Sequence, residues 1–441
     1  MVEETQYLAR GGRRRLALCL SGGGFRATLF HLGVIRRLHE VGLLARVDTI
    51  SSVSGGSIMA AFLADRALEL GGVAAIADFE RDLAAPLRRF TSRDLRTAPI
   101  LRHLLWSWAT PGPLARAMVE RFRRRLSQRR LAELPERPRF VLCATDVVFG
   151  VGWTFTRERV GDWQVGYAPT PQDLPLAFAV AASACFPPVF GPLPVDLPAE
   201  SFRRGAYTGA DRDRLLTGLA LTDGGVYDNL GLEPALRGHD VVIASDAGGP
   251  FPFAITRMPV RRQLRYPSLV MKQVAALRRR QLMALIAGDP ERCDLSEAPG
   301  CRAARLAERC PHSADPRCRD HRPIHRLTRG AYLAITNDVA SEASPGEDLT
   351  GYSRSLVAGA LAGIRTDLDR FTAAEAAILE NHGYLVAAAG LRRHLPELLP
   401  SVEPPVKAPH PQWLEPGRAA RALATSHRRL DLRRMLGRDP G

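Results

Sequence analysis

The sequence predicts a three-layer α/β fold, in which a mainly parallel central sheet lies between helices on both faces. Short apolar runs bounded by glycine or polar clusters, the first at residues 15–20, are typical of buried strands. Helical patterns alternate with these runs, which is the order of parallel α/β units. About 25 residues separate the first two runs, enough for the crossover that a parallel pair requires.

The first two strand–helix units have the most regular pattern. After the first run, apolar residues recur at helical spacing over 27–38, and Gly42 stands where such a helix ends. A second strand is predicted at 47–53, and a second helix opens at Ser54. The turn after each strand is therefore a candidate place for function.

The remaining elements continue this alternation. Strands are predicted at 140–145, 152–157, 219–222, 241–245 and 331–336. Helices are predicted at 176–184, at 268–288, entered just after Pro267, and within 355–395, where Gly383 and Gly390 are expected to stop them.

Two segments differ in composition and predict insertions. Residues 76–135 are helical and basic, which is typical of an inserted cap, and residues 290–325 form a polar, cysteine-bearing segment. Residues 1–395 are thus expected to form one domain with both insertions, followed by a proline-rich and basic tail at 396–441.

The overall charge favours an anionic partner. The formal net charge is +15 and the apolar content of 46% is ordinary for a globular protein. No nucleic-acid-binding motif accompanies the charge, so no nucleic-acid partner is expected. The mixture of aromatic residues and arginines in 76–135 fits an anionic lipid interface or a cap packed on the core; its apolar members are Phe90, Leu101, Leu104, Leu105, Trp106 and Trp108.

The termini and the cysteines predict a location. The first residues are acidic and lead into no apolar signal segment, and prolines interrupt the longest uncharged stretch, 174–195. We therefore expect a cytoplasmic or peripheral membrane protein. The seven cysteines, an odd number, favour a reducing compartment.

The cysteines fall into two groups. Cys19, Cys143 and Cys185 lie in apolar runs and are expected to be buried thiols. The second group lacks the closely spaced pairs of a zinc site, so two disulfides, free thiols or, less readily, a metal are its alternatives; it comprises Cys293, Cys301, Cys310 and Cys318, near His312 and His321.

The segment SSVSGGS, residues 51–57, is the strongest local signal for chemistry. A serine between a strand and a helix, flanked by small residues, is typical of a nucleophile elbow, and Ser54 fits best because Gly55 and Gly56 follow it. The usual glycine two residues before the nucleophile is replaced by Ser52, where we expect some strain. The alternative is a serine that simply caps a helix.

The glycines at 22–24 suggest an anion-binding loop. Gly22, Gly23 and Gly24 directly follow the first strand, so their N–H groups are able to converge on an oxyanion, and Arg26 would support the loop or meet a phosphate. Dinucleotide binding is the alternative, but it requires an acidic residue at the end of the second strand, which ends in serines.

The third signal is an aspartate at a predicted strand end. Asp223 is followed by Gly224 and Gly225, so its carboxylate is able to enter a cleft at close backbone range; an Asp-Gly turn is the alternative. All three signals fall at carboxyl ends of predicted strands, where α/β sheets place their sites. His31 and His39, within the first helix, are expected to be structural, and His239, which precedes a strand, is expected at the edge opposite the site.

These motifs together resemble the patatin-like phospholipase family. The resemblance rests on SGGGFRA at 21–27, SVSGGS at 52–57, AASACFPPVFGP at 181–192 and DGGVYDN at 223–229, and a stretch at 363–384 resembles a bacterial subgroup. It implies a lipid acyl hydrolase without cofactor or metal, with Ser54 and Asp223 as a catalytic dyad. Gly22, Gly23 and Gly24 would form the oxyanion hole, with Arg26, Gly56, Gly224 and Gly225 supporting. A non-catalytic lipid-binding protein on the same fold is the alternative.

Overall fold

A computed structural model describes residues 15–97, 113–187, 190–236, 238–251, 259–287, 329–342 and 349–427. Eleven strands of the described residues form one sheet: β1 (Leu16–Leu20), β2 (Thr49–Val53), β3 (Arg139–Asp146), β4 (Gly152–Phe155), β5 (Arg159–Asp162), β6 (Gly166–Pro169), β7 (Leu193–Pro194), β8 (Arg203–Arg204), β9 (Ala220–Asp223), β10 (Val241–Asp246) and β11 (Arg329–Ala334).

The helices of the described residues vary from single turns to eight turns. They are α1 (Gly24–Glu40), α2 (Gly55–Leu70), α3 (Ala85–Thr91), α4 (Pro113–Arg125), α5 (Leu176–Ala184), α6 (Arg212–Thr217), α7 (Gly225–Asp228), α8 (Leu232–Leu236), α9 (Pro259–Ala287), α10 (Val339–Glu342), α11 (Arg354–Leu356), α12 (Ala373–His394) and α13 (Pro416–Leu423). π-Helical turns at Glu80–Ala84 and Val357–Leu361 precede α3 and follow α11. None of these helices is both long and apolar enough to cross a bilayer.

The sheet has a parallel half and an antiparallel half. Its order is β11-β10-β1-β2-β3-β4-β5-β6-β8, and the first five strands of this order are parallel. From β4 onward each pairing is antiparallel, and β9 pairs with both β3 and β7. The predicted strand–helix–strand crossovers are therefore found in the parallel half.

Helices cover both faces of the parallel half, so the predicted α/β class with three layers is confirmed. Alternate residues of a strand point to opposite faces. In β1, Leu16, Leu18 and Leu20 belong to the large core with α1 and α12, whereas Ala17 and Cys19 pack on the other face with Leu282 of α9. Burial on both faces explains why the strand is a continuous apolar run.

Helices α1 and α12 cross at close range, and this crossing corrects one prediction. A methyl group added at Gly383 would lie 2.0 Å from the Phe30 carbonyl oxygen, and one added at Gly390 would lie 2.4 Å from a Leu333 methyl carbon. Helix α12 runs through both glycines, so the expectation that they stop helices is wrong. Close packing, rather than helix termination, requires glycine there.

The entry of α9 is the second correction. The helix begins at Pro259 and continues through Pro267, where the sequence led us to expect its start. A proline removes one backbone hydrogen bond and usually ends or kinks a helix. Residues 268–270, which follow Pro267, are exposed, so this part of the helix lies at the surface.

The described part of 76–135 packs on the core. The Phe90 side chain is only 5% exposed, and its ring lies 5.6 Å from that of Phe25 and 6.4 Å from that of Phe62, between centroids. For Phe90 the structure thus favours the packed cap over the lipid interface. The other apolar members named above, at 101–108, the four cysteines of 290–325 and the tail beyond 427 lie outside the described residues.

Candidate active site

Strands β2 and β9 meet end to end along one flank of β3. Strand β2 pairs with residues 139–143 of β3, and β9 pairs with residues 144–146, while β4 occupies the opposite flank. Because β2 and β9 run in opposite directions, their carboxyl ends face each other. Ser54 and Asp223 are brought together at this junction.

This arrangement refines the predicted location of Asp223. The aspartate lies at the carboxyl end of a strand, as expected, but β9 is antiparallel to β3. It extends beyond the carboxyl end of β3 and returns toward the sheet, with Asp223 opposite Ala144. The carboxylate thus reaches the same sheet edge as Ser54 from the opposite direction.

Ser54 forms a sharp turn between β2 and α2. Its φ of 51° and ψ of −116° place a non-glycine residue in a sparsely populated backbone conformation. Methyl groups added at Gly55 and Gly56 would lie 2.1 Å from the Gly24 carbonyl oxygen and 2.3 Å from that of Leu20. The small residues of the motif therefore let the turn lie against the end of β1, which is the geometry of a nucleophile elbow.

Ser52 occupies the place of the usual glycine without the strain expected there. The positive φ lies at Ser54, and Ser52 is not among the described non-glycine residues with this conformation. The buried Ser52 hydroxyl donates to the Val141 carbonyl oxygen at 3.4 Å and accepts from the Ser57 hydroxyl at 3.1 Å. The turn thus accommodates a serine by giving its hydroxyl two partners.

Ser183 fixes the turn from the opposite side, and sequence reasoning missed its importance. Its Oγ accepts the Ser54 N–H at 2.9 Å, donates to the Cys143 carbonyl oxygen at 2.6 Å and lies 2.8 Å from the Ser57 Oγ. It connects α5, β3 and the start of α2. A single hydroxyl in the otherwise apolar helix at 176–184 was the available signal.

Asp223 is buried beside Ser54. Burial raises the pKa of its carboxyl group to about 6, against hydrogen bonds from the Gly225 N–H and the Ser54 side chain that lower it. The Gly225 N–H lies 2.7 Å from Oδ1. The backbone is held by the Thr145 hydroxyl, which donates to the Asp223 carbonyl oxygen at 2.9 Å, and by the Cys185 carbonyl oxygen, which accepts the Asp223 N–H at 3.1 Å.

The glycine loop lies against the same turn. Gly23 and Gly24 have φ values of 146° and 56°, and α1 begins at Gly24, so their N–H groups have no acceptor within the helix. A methyl group added at Gly22 would lie 3.2 Å from the Ser54 Cβ. The Gly22 N–H, however, donates to the Asn229 carbonyl oxygen at 3.0 Å. Asn229, which sequence reasoning did not assign, thus ties the first glycine to the loop after Asp223.

A family model described as patatin-like phospholipase matches residues 18–236, which include all of these residues. Residues 18–236 form a patatin-like phospholipase domain. The fold described above is the α/β fold of this family. No curated protein matches the chain.

Solved structures similar to this patatin-like chain include human GIVD cytosolic phospholipase A2, with 14% identity and a TM-score of 0.47. The match covers 88% of this chain and 62% of the human chain, so this chain spans less than two thirds of that protein. VipD from Legionella pneumophila matches with 14% identity and a TM-score of 0.30, over 88% of this chain and 68% of VipD.

Arg26 of this patatin-like chain faces backbone carbonyl groups. Its guanidinium donates to the Ala247 carbonyl oxygen at 2.8 Å and to that of Ile364 at 2.6 Å, and the side chain is buried. These bonds join the start of α1 to the loop after β10 and to the segment before α12. The structure therefore favours the supporting role over phosphate contact.

The three histidines singled out in the sequence of this patatin-like chain each contact a hydroxyl group or a backbone carbonyl group. His31 lies between the Ser245 hydroxyl, at 2.7 Å, and the Ser21 carbonyl oxygen, at 2.9 Å, and burial lowers its pKa to about 4. His239 contacts the Thr49 hydroxyl at 2.9 Å, at the amino end of β2 and thus at the edge opposite Ser54. His39 contacts the Ile76 carbonyl oxygen at 2.7 Å.

The predicted burial of three cysteine thiols in the patatin-like domain is confirmed. Cys19, Cys143 and Cys185 are free and buried, and burial raises the pKa of each thiol. A raised pKa leaves the thiol protonated and unreactive at neutral pH. These cysteines pack around the site without offering a competing nucleophile.

Proposed function

We propose that the chain is a serine acyl hydrolase that cleaves ester bonds of phospholipids or related acyl lipids through Ser54 and Asp223. One observation carries this proposal: Ser54 lies on a strained turn beside the buried Asp223 carboxyl group, whose pKa burial raises to about 6 against a lowering contribution from the Ser54 side chain. A base with a pKa close to neutral pH accepts a proton more readily than an ordinary aspartate does. Membership of the family supports a lipid ester as substrate.

In the acylation step the Ser54 Oγ attacks the ester carbonyl carbon as its proton passes to Asp223. The tetrahedral intermediate then expels the alcohol, which takes the proton from Asp223, and an acyl-serine remains. In this proposal no histidine stands between the two residues, because Asp223 takes the proton of Ser54 directly.

The N–H groups of Gly23 and Gly24 are the donors that we assign to the oxyanion hole. They lie at the amino end of α1, where the helix dipole also favours negative charge. Gly22 is better placed as a spacer beside Ser54, because its N–H already donates to Asn229. Each donor of this kind contributes about 2.7–4 kcal/mol to transition-state stability in enzymes of similar chemistry.

Deacylation repeats the chemistry with water. Asp223, now ionised again, takes a proton from a water molecule as that water attacks the acyl carbonyl carbon. Collapse of the second tetrahedral intermediate releases the fatty acid and returns the proton from Asp223 to Ser54. The products are one carboxylic acid and one alcohol, so atoms and protons balance without a cofactor.

A panel of acyl lipids, hydrolysed by the wild type and by Ser54→Ala, tests the proposal. We expect Ser54→Ala and Asp223→Asn to lose hydrolysis by about ten-thousand-fold or more. The matched exposed variants Ser92→Ala and Asp213→Asn should keep it. Unchanged hydrolysis by Asp223→Asn would contradict its role as base.

Reaction with a fluorophosphonate separates the enzyme from a non-catalytic lipid-binding protein on the same fold. Only an activated serine is labelled rapidly, and peptide mapping should place the adduct on Ser54. If the wild type binds lipid but remains unlabelled and inactive, the non-catalytic alternative is correct.

A further inference from the structure

Helix α9 has an unusual charge composition. Its residues 259–287 include seven basic and no acidic residues: Arg261, Arg262, Arg265, Lys272, Arg278, Arg279 and Arg280. A helix this basic is repelled by cationic surfaces and attracted by anionic ones. The proposed function uses none of these residues.

The outer side of α9 carries large apolar side chains in water. Tyr266 is 51% exposed, Leu269 43%, Val270 57% and Leu277 58%. Spacings of three, four and seven residues put them on one side of a helix, and we name these four residues the apolar stripe. Within the described residues, few large apolar side chains are as exposed.

The opposite side of α9 is attached to the sheet. Leu282 is buried against Ala17 and Cys19 of β1, and the Arg278 guanidinium lies 5.3 Å from the Tyr227 ring centroid and 3.4 Å from the Glu233 carboxylate. The helix therefore has two apolar sides: one packs against the core, and the other faces outward.

The direction of α9 places three of the four stripe residues, Tyr266, Leu269 and Val270, at the edge of the sheet that holds Ser54. Near its end, Ile286 packs on Gly330, at the amino end of β11. Lys272 donates to the Gly249 carbonyl oxygen, beyond the carboxyl end of β10. Because the helix runs against the strands, the residues that precede Lys272 extend past the carboxyl edge.

We propose that the apolar stripe and the arginines beside it dock the protein on an anionic lipid surface. A basic amphipathic helix lies in the plane of a bilayer interface, with apolar side chains below the headgroups and arginines at the lipid phosphates. This proposal rests on the proposed function for its purpose, since docking at this edge brings the site close to a lipid substrate. The absence of acidic residues from α9 argues for an anionic lipid surface rather than a second copy of the same basic helix.

Vesicle flotation with the full chain tests the proposal. We expect the wild type to float with vesicles of phosphatidylcholine and phosphatidylglycerol and to bind vesicles of phosphatidylcholine alone much more weakly. The triple variant Leu269→Ser, Val270→Ser, Leu277→Ser should bind the anionic vesicles about tenfold more weakly or worse. Arg262→Gln with Arg280→Gln, both exposed, should weaken binding about fivefold for each arginine removed.

A matched control replaces exposed apolar residues elsewhere. Leu70→Ser with Val402→Ser removes side chains that are 38% and 85% exposed but far from α9 in the chain, and vesicle binding should be unchanged. Loss of binding in this control equal to that of the triple variant, or full binding by the triple variant, overturns the proposal. So does a wild type that ignores anionic vesicles.

Two further measurements separate docking from catalysis and from self-association. Fluorophosphonate labelling of Ser54 in solution reports on the site without vesicles, so an unlabelled protein that still floats contradicts only the proposed function. Size-exclusion chromatography of the triple variant should match the wild type. A change from dimer to monomer with unaltered vesicle binding would make the stripe an interface between copies and overturn the lipid proposal.

Discussion

The two halves of the sheet hold their candidate catalytic residues in different ways. In the parallel half, Ser54 is fixed by backbone contacts so close that Gly55 and Gly56 have no room for a side chain. In the antiparallel half, Asp223 ends a strand of four residues and is held mainly by hydrogen bonds from or to Thr145, Gly225 and Cys185. The comparison teaches that added bulk should disable the nucleophile, whereas proton uptake should disable the base.

The largest effect is expected on the nucleophile side. Gly55→Ala adds a methyl group 2.1 Å from the Gly24 carbonyl oxygen, so the turn at Ser54 and the glycine loop must separate. Displacement of reacting groups by about 1 Å costs on the order of a hundredfold in rate, and we expect at least this loss of kcat/KM on a soluble ester. Steady-state kinetics together with thermal unfolding measure it.

Gly359→Ala is the control for this substitution. No atom lies within 4 Å of the methyl group that it adds, so activity and stability should stay close to the wild type. If Gly55→Ala behaves in the same way, close packing does not position the nucleophile.

The pH dependence of kcat/KM should report on Asp223 as the base. Asp223 accepts a proton only when ionised, and burial raises its pKa to about 6. We therefore expect kcat/KM on a soluble ester to be constant above about pH 6 and to fall about tenfold per pH unit below it. The rate of fluorophosphonate labelling should follow the same curve, which excludes a change in substrate binding as its cause.

A different curve would contradict this assignment. If the plateau extends down to about pH 4, the group that titrates has an ordinary aspartate pKa and is not the buried Asp223. Circular dichroism at each pH, compared with the activity, distinguishes titration of the site from unfolding.

The next largest effect is expected from Ser183, which connects the turn at Ser54 to β3. Ser183→Ala leaves the buried Ser54 N–H and the Cys143 carbonyl oxygen without their partner, at 2.9 and 2.6 Å. Unsatisfied buried groups cost about 1–3 kcal/mol in stability, and we expect about a tenfold loss of kcat from a less well-held turn. Denaturant unfolding and kinetics should show both effects, and Ser92→Ala, which loses only a local exposed bond, should show neither.

The parallel half was largely predictable from the sequence because its signals are local. An apolar run followed by small residues marks both β1 with Gly23 and β2 with Ser54, and the apolar segment predicted as a helix at 176–184 coincides with α5. Each motif carries its own strand end and helix start. Their positions at strand ends already grouped Ser54 with Asp223, but the prediction of a dyad without histidine required the resemblance to a family.

The antiparallel half and the packing details were not predictable in this way. Nothing within residues 219–223 states that β9 runs against β3 or meets β2 end to end, because strand pairing depends on residues far away in the chain. Gly383 is similar: its role is visible only when Phe30 lies 2.0 Å from its added methyl group. The role of Ser183 is likewise visible only in the structure, where its hydroxyl lies against the Cys143 carbonyl group.

The smallest effect is expected from two neighbouring carboxyl groups, one at the end of β3 and one in the antiparallel half. Asp146 ends β3 and Asp162 ends β5; both are buried, and neither Oδ2 has an N–H or O–H donor among the described residues. Burial, with the neighbouring Asp146 adding to it, raises the pKa of Asp162 to about 7, so one proton is shared between the two groups. The folded state therefore binds this proton more tightly than the unfolded chain does.

The sign of the effect on stability follows. The stabilisation is complete below the ordinary aspartate pKa of about 4 and is lost as the pH rises to about 7. In Asp162→Asn, the amide donates to Asp146 at every pH, and its oxygen keeps the Gln164 N–H that Oδ1 accepts at 2.8 Å. We expect the free energy of unfolding to fall by about 1 kcal/mol or more over this range in the wild type and to stay nearly level in the variant. Asp173→Asn, the control, removes an exposed charge of the same kind and should keep the wild-type change of the unfolding free energy with pH. If denaturant unfolding shows the same change with pH in Asp162→Asn, the proton is bound elsewhere.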